Sequence, residues 1–271
     1  MFAVVDSPAF IVGGFQVSLA AAKSAQRLQE VFKSGKGIAW HEQDHDLFHG
    51  TERFFKPGYA ANLVDAWIPS LDRVEHKLDM GAGVAGVECG HAASTILMAQ
   101  AHPNSKYFGF DSHDASIQAA RQQAAQSGMT DQVRFDIASA KNYDGAPYDL
   151  VMVFDTLHDL GDPVGAAAHI LSTLKPDGTL MIVEPYAEDV LPHNLNPLSR
   201  MMYAASTFFC TPNSLSQEVG AALGAQAGEA RIREVALQAG FSRFRRANQT
   251  QVNLVFEARP YHLLLKFGTL P

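Results

Sequence analysis

Three groups of residues have the types and spacing to do chemistry. Glu88-Cys89-Gly90-His91 is a tight, small-residue turn. An acid, Asp111, follows it by about 20 residues, the separation at which a carboxylate meets the vicinal hydroxyls of a ribose. Asp155-Thr156-Leu157-His158-Asp159 is a polar cluster closing a strongly apolar run. His158 is the candidate general base, because imidazole titrates near neutral pH. Glu184 ends another apolar run and would serve as a supporting or substrate-facing acid, its pKa raised if burial is confirmed. Each has a plainer alternative: Asp111 as a helix cap, and His158 as a structural histidine bonded to Asp155 or Asp159. Cys89 lies in a turn entering a helix, where thiolates are stabilised, although no partner base is apparent. Cys210 reads as packing. His41, His45 and His49 recur every four residues and would share one helical face. With no cysteine beside them and acids around them, they read as a solvated segment, and no metal is expected.

The elements needed to position these groups are present in order. Val84–Val87 is a short apolar run suited to a buried strand. Ala92–Ala101 is a helix, and Tyr107–Phe110 is a second strand ended by Asp111. Strand, glycine turn, helix, strand and acid make the mononucleotide-binding half of a doubly wound sheet. From residue 77 strands and helices alternate, which signals a parallel sheet. Strands are expected at Gly83–Val87, Lys106–Phe110, Gln132–Ala138, Tyr148–Phe154 and Thr179–Val183. Phe241–Asn248 and Asn253–Ala258 are close enough to pair antiparallel. Helices are expected at Asp114–Ser127, Pro163–Leu174 and Glu229–Ala239, with Lys175-Pro176-Asp177-Gly178 as a turn. The fold class is therefore α/β, a Rossmann-like, seven-stranded, mostly parallel sheet. Residues 186–228 are too long for a connection. They carry Met201, Met202, Tyr203, Phe208 and Phe209, and should fold as a helical insertion over the open end of the sheet. Ligands of such sheets lie beyond the carboxyl ends of the strands. Those ends are Glu88–Gly90, Asp111, Ala138–Ala140, Asp155–His158 and Glu184. Ahead of the sheet, Gln16–Phe32 has helical spacing and ends at Gly35 and Gly37. Thr51–Leu71 is a second helical region, broken near its start by Pro57 and Gly58. Residues 1–76 thus read as a helical arm, and 77–271 as the α/β domain.

Composition narrows the partners. The chain has 271 residues, 47% of them hydrophobic and 18% charged, with 21 basic and 28 acidic side chains and a net charge of −7. That balance argues against nucleic acid, which is held by clustered Lys and Arg. Arg243-Phe244-Arg245-Arg246 is explained as well by a strand edge. Two cysteines make no disulfide framework, so a reducing, cytoplasmic setting is expected. No apolar run reaches the ~18 residues of a membrane span. Met1–Val5 lacks the basic start of a signal peptide.

The stretches ERFFKPGYAANLVDAWIPSLD, CGHAASTILMAQAHPNSKYFGFDSH, FDTLHDLGDPVGAA and TPNSLSQEVGAALGAQAGEARIREVALQAGF resemble class I S-adenosylmethionine-dependent methyltransferases. The resemblance covers residues 77–259 and is to a bacterial group that usually carries an N-terminal winged helix. The start at DSPAF resembles the point just after that domain. The resemblance implies S-adenosylmethionine as cofactor. It places the methionine part on Glu88, Cys89 and Gly90, the ribose on Asp111 and Ser112, and the adenine near Ala138 and Ser139. It sets Asp155 and His158 beside the methyl group. Trp40, Phe54, Met201, Met202, Tyr203 and Phe208 would enclose a small, rather apolar acceptor, methylated at oxygen with His158 as base. Nucleic acid and membrane are not expected partners, and a homodimer stays open. The chain departs from the family motif in one place. Gly86 replaces an acid, and Glu88 and Ala92 replace glycines. Glu88 would repel the cofactor's carboxylate by about 1–4 kcal/mol at short range, or would offer its own carboxylate to the ammonium. A catalytically silent, ligand-binding relative is therefore the second reading. A nicotinamide dehydrogenase fits poorly, because the turn is not GxGxxG.

Overall fold

The computed structural model describes residues 2–4, 7, 10–145 and 147–260. Pro8 lies outside them, so the expectation of a helix after it is judged only from residue 10 onward. Strands β1 (Gly83–Val87), β2 (Lys106–Asp111), β3 (Val133–Ile137), β4 (Tyr148–Phe154) and β5 (Leu174–Pro185) run parallel. β6 (Arg243–Gln249) and β7 (Asn253–Arg259) close one edge antiparallel. The seven strands lie in the order β3-β2-β1-β4-β5-β7-β6. This is the expected Rossmann-like sheet, with the order reversing between β1 and β4.

Side chains alternate between the faces of a strand, and the core divides accordingly. Val84, Leu150 and Met152 face one layer. There they pack with α3 (Val74–Met80), α4 (Ala93–Ala101) and α5 (Asp114–Gln126) through Leu78, Ile96 and Ile117. Ala85, Val151 and Val153 face the other. There they meet α6 (Pro163–Thr173) and α9 (Gly228–Gln238) through Ile170 and Ile232. Each fully buried aliphatic side chain contributes about 1.5–3 kcal/mol relative to exposure. Lys175–Gly178 does not interrupt β5. It is absorbed as a register shift against β4, between Tyr148 and Leu150.

The arm holds α1 (Val12–Ser34) and α2 (His45–Asn62), packed against each other. α1 stops at Gly35, which takes φ +71. α2 begins earlier than its periodicity suggests, because Asp44 caps it by accepting from the Asp46 amide at 3.0 Å. It also runs through Pro57 without breaking. An interior proline costs about 3 kcal/mol, and the buried face of Leu47, Phe48 and Tyr59 offsets it. A π turn, Leu63–Trp67, then delivers Leu63, Trp67 and Ile68 into the sheet's core.

The insertion folds into a 3-10 turn (Leu191–Asn194), α7 (Pro197–Ala205), a π turn (Ser206–Cys210) and α8 (Thr211–Leu215). It is fastened to the loop after β4. Ser214 Oγ donates to the Leu160 carbonyl at 2.8 Å, and the Gly224 amide to that of His158 at 3.2 Å. Among the described residues no helix is long and apolar enough to cross a membrane.

Candidate active site

The turn after β1 is shaped for close approach by a ligand. Glu88, Gly90 and Ala92 take φ of +52, +53 and +66. Only one of them is a glycine, so this backbone holds two L-residues where they cost about 1–2 kcal/mol each. A Cβ added to Gly90 would meet nothing within 4 Å, so the turn is open there. The Gly90 amide donates to Asp111 Oδ2 at 2.8 Å, and the His113 amide to Oδ1 at 2.8 Å. Asp111 is buried, and burial raises its pKa against the pull of those amides.

Glu88 reaches across the ends of the strands. Its Oε1 accepts the Ala140 amide at 3.0 Å, and the nearby Ser112 amide also works to lower its pKa. It keeps contact with the cavity, yet protein surrounds it. Burial first, and then Asp111, push its pKa up to about 8. Cys89 is not the stabilised thiolate its place in the turn suggests. Burial, Asp111 and Glu88 raise its pKa well above the ordinary value and hold it as a neutral thiol.

At the end of β4, Asp155 takes φ +50. Its Oδ2 accepts from Tyr59 Oη at 2.6 Å, and Oδ1 from Asn253 Nδ2 at 3.1 Å. Burial raises its pKa to about 7, aided by repulsion from Glu184 and opposed by the Tyr59 bond. His158 is bonded through Nδ1 to Glu184 Oε2, and both residues are only 3% exposed. Asp159 Oδ1 lies 3.1 Å from His158 Nε2 in ion-pair contact, but has no hydrogen-bond partner. Burial opposes the charged imidazolium; Glu184 and Asp159 overcome that and raise the His158 pKa well above its ordinary value. Cys210 closes the group. Burial and Asp159 push its pKa to about 12.

These residues meet at one cavity of about 790 Å³. Glu88, Cys89, Gly90, Asp111, Ser112, Ser139, Asp155 and His158 line it, joined by Trp40, Phe54, Met201, Met202 and Phe208. Two expected residues are not on its wall. Ala138 packs into the core while its amide donates to the Asp111 carbonyl, so the wall after β3 is made by Ser139, Ala140 and Lys141. Tyr203 is turned away by the helical rotation of α7, which buries its neighbour Met202 and leaves Tyr203 exposed. His41 sits in the turn Trp40–Glu42, outside α2, so the three spaced histidines share no helix. His49 instead meets His91, ring centroids 5.3 Å apart, and His91 Nδ1 lies 2.8 Å from Glu52 Oε2.

Sequence spacing missed Tyr59 and Asn253, which hold Asp155 from 96 and 98 residues away. It also missed Glu52 and Asn213 on the cavity wall.

A methyltransferase-domain family matches residues 76–239. Among solved structures the chain is similar to an O-methyltransferase family protein from Burkholderia thailandensis. The TM-score is 0.69 and the identity 18%, over 93% of this chain and 73% of that one. It is also similar to a mitomycin 7-O-methyltransferase, with TM-score 0.62 and 15% identity over 87% and 67% of the two chains. A third is an O-methyltransferase of neocarzinostatin biosynthesis, solved with S-adenosylhomocysteine and 1,4-dihydroxy-2-naphthoic acid. There the TM-score is 0.60 and the identity 16%, over 96% and 72%. No curated protein sequence matches the chain.

Proposed function

The chain belongs to the methyltransferase family, in its class I S-adenosylmethionine-dependent form, and on that premise we propose that it methylates an oxygen of a small, largely apolar acceptor. The residues present suit the cofactor. Asp111 offers a buried carboxylate to a ribose, Gly90 leaves the turn open, and Ser139 and Ala140 border the adenine end. The backbone of Glu88–Gly90 would hold the methionine part, the Glu88 side chain being turned toward the Ala140 amide. Bound there, S-adenosylmethionine supplies an electrophilic methyl group.

The protein's share of the chemistry is orientation and proton transfer. Phe208, Met201, Met202 and Trp40 would exclude water and set the acceptor's shape. His158 would take the acceptor's proton at Nε2, with Glu184 fixing the ring through Nδ1. Asp155 would border the methyl group, held in place by Tyr59 and Asn253. The observation that carries the reading is Asp159 Oδ1, buried and without a hydrogen-bond partner on the cavity wall beside His158 Nε2. An acceptor hydroxyl could donate its proton to Nε2 of the neutral imidazole, and Asp159 Oδ1 beside it would stabilise the imidazolium that forms. An amine acceptor has less need of a base held so strongly. The neocarzinostatin O-methyltransferase was solved with a hydroxylated naphthoic acid, a small, largely apolar molecule, which supports the choice of class.

The test is incubation with S-adenosylmethionine and matched phenols, carboxylic acids and amines, read by mass spectrometry. Methylated phenol or carboxylic acid is expected, and methylation confined to amines would sink the oxygen assignment. A catalytically silent relative is the second reading, favoured by the Glu88 carboxyl inside the cradle. Failure to bind S-adenosylhomocysteine in calorimetry at millimolar ligand would decide for it.

A further inference from the structure

The amide beyond the carboxyl end of β3 already has an occupant. A purine edge needs backbone donors beside the ribose, and the ribose is fixed by Asp111, whose charge favours hydroxyls over the methionine carboxylate. The amides in that place are those of Ser112 and Ala140; Glu88 occupies the Ala140 amide, and its carboxyl lies close enough to the Ser112 amide to feel it. The contact joins two strand ends across a third: Glu88 follows β1 and Ala140 follows β3, with β2 and the Ser112 that follows it between them. Ser139 cannot take over easily, since its own amide and hydroxyl are spent on Asn142 Oδ1 at 2.8 and 2.9 Å.

We infer that the Glu88 side chain is a built-in stand-in for the adenosine end of the cofactor, and that S-adenosylmethionine binds only when Glu88 is displaced from the Ala140 amide. The inference rests on the reading that this end of the cavity receives the adenosine. Displacement is coupled to a proton. Inside the cradle the carboxyl is held neutral up to about pH 8, and once released to solvent it ionises in the ordinary carboxylate range. Binding therefore releases a proton between those limits, and affinity rises with pH across them. The other titratable and charged groups around Glu88 are Asp111 after β2, Cys89 and the Glu52-paired His91 in the turn after β1, and His113 before α5. Lys141 after β3 is already paired with Asp162 and Glu218.

The test is calorimetric binding of S-adenosylhomocysteine to the full chain near neutral pH, in buffers of different ionisation enthalpy. Wild type is compared with Glu88→Gly and Glu88→Ala. Glycine suits the left-handed backbone at 88, and alanine removes the carboxyl without adding backbone freedom. Both variants should bind about tenfold tighter or better, as expected when a competing conformer is removed. Wild type should release a proton that the variants do not. Hydrogen exchange at the Ala140 amide should be slow in wild type and fast in the ligand-free variants. Equal or weaker binding by the variants, with measurable binding by wild type, overturns the stand-in and leaves methyl transfer standing. Absence of binding to all three overturns both. Binding by the variants alone supports the stand-in in its strongest form.

Discussion

Asp159 Oδ1 lies 3.1 Å from Nε2 of His158, the ring nitrogen that Glu184 does not hold. The imidazole is thus flanked by carboxylates and its proton is tightly held. The base works only when neutral, so kcat/KM should rise with pH, with its midpoint above the ordinary 6.5 of histidine. Asp159→Asn removes one of the charges and should move that midpoint down. A pH–rate profile that is flat, or has the same midpoint in both proteins, contradicts the arrangement.

His158→Gln should lower kcat by about 10²–10⁴-fold, the usual worth of a general base. Affinity for S-adenosylhomocysteine should be unchanged, because in the proposed reading His158 faces the acceptor. Glu184→Gln should show a smaller loss with the same split. Equal loss of cofactor binding in these variants would mean the pair is structural.

The Glu88 carboxyl makes stability fall with rising pH. Its folded pKa of about 8 lies above the ordinary 4.5. Its contribution is fully present below 4.5 and is lost as pH rises through 8. Asp111 and Asp155 act in the same direction, so the comparison must be made against a variant. Thermal melting should show a steeper loss from pH 5 to pH 9 in wild type than in Glu88→Gln. Parallel curves would show that Glu88 titrates normally.

Tyr59→Phe leaves Asp155 with only Asn253 as hydrogen-bond partner. The loss should be about 1–3 kcal/mol in urea unfolding, the cost of stranding a buried polar group. Acceptor turnover should also fall, since Asp155 borders the cavity.

Phe208→Ala opens the wall of the cavity on the insertion side. It should raise KM for the acceptor and leave cofactor affinity intact. A change confined to the cofactor would place the acceptor elsewhere.

Much of this geometry is legible in the chain because it is local. Tyr148–Phe154 reads as a buried strand since every residue but the last is buried, and the run has no polar alternation to confuse it. Asp111 and His158 stand at strand ends, where chemistry gathers. Contacts between distant segments leave no such trace. Nothing near Asp155 announces Tyr59 or Asn253, and nothing near Glu184 announces its burial against His158. Local punctuation misleads where packing outweighs it, as at Pro57 inside α2. A helix face can be assigned only once the helix is placed, which is why Tyr203 and Met202 part company.

The left-handed backbone at Glu88 and Ala92 has a consequence for how this protein can change. In the genetic code, glutamate and alanine codons each stand one nucleotide from glycine. Either reversal relieves backbone strain, so neither needs a compensating change elsewhere. If Glu88 is the stand-in we propose, cofactor affinity can then be altered in a single mutational step while the fold stays intact. The turn is a point of low evolutionary resistance, and a natural first target for directed evolution.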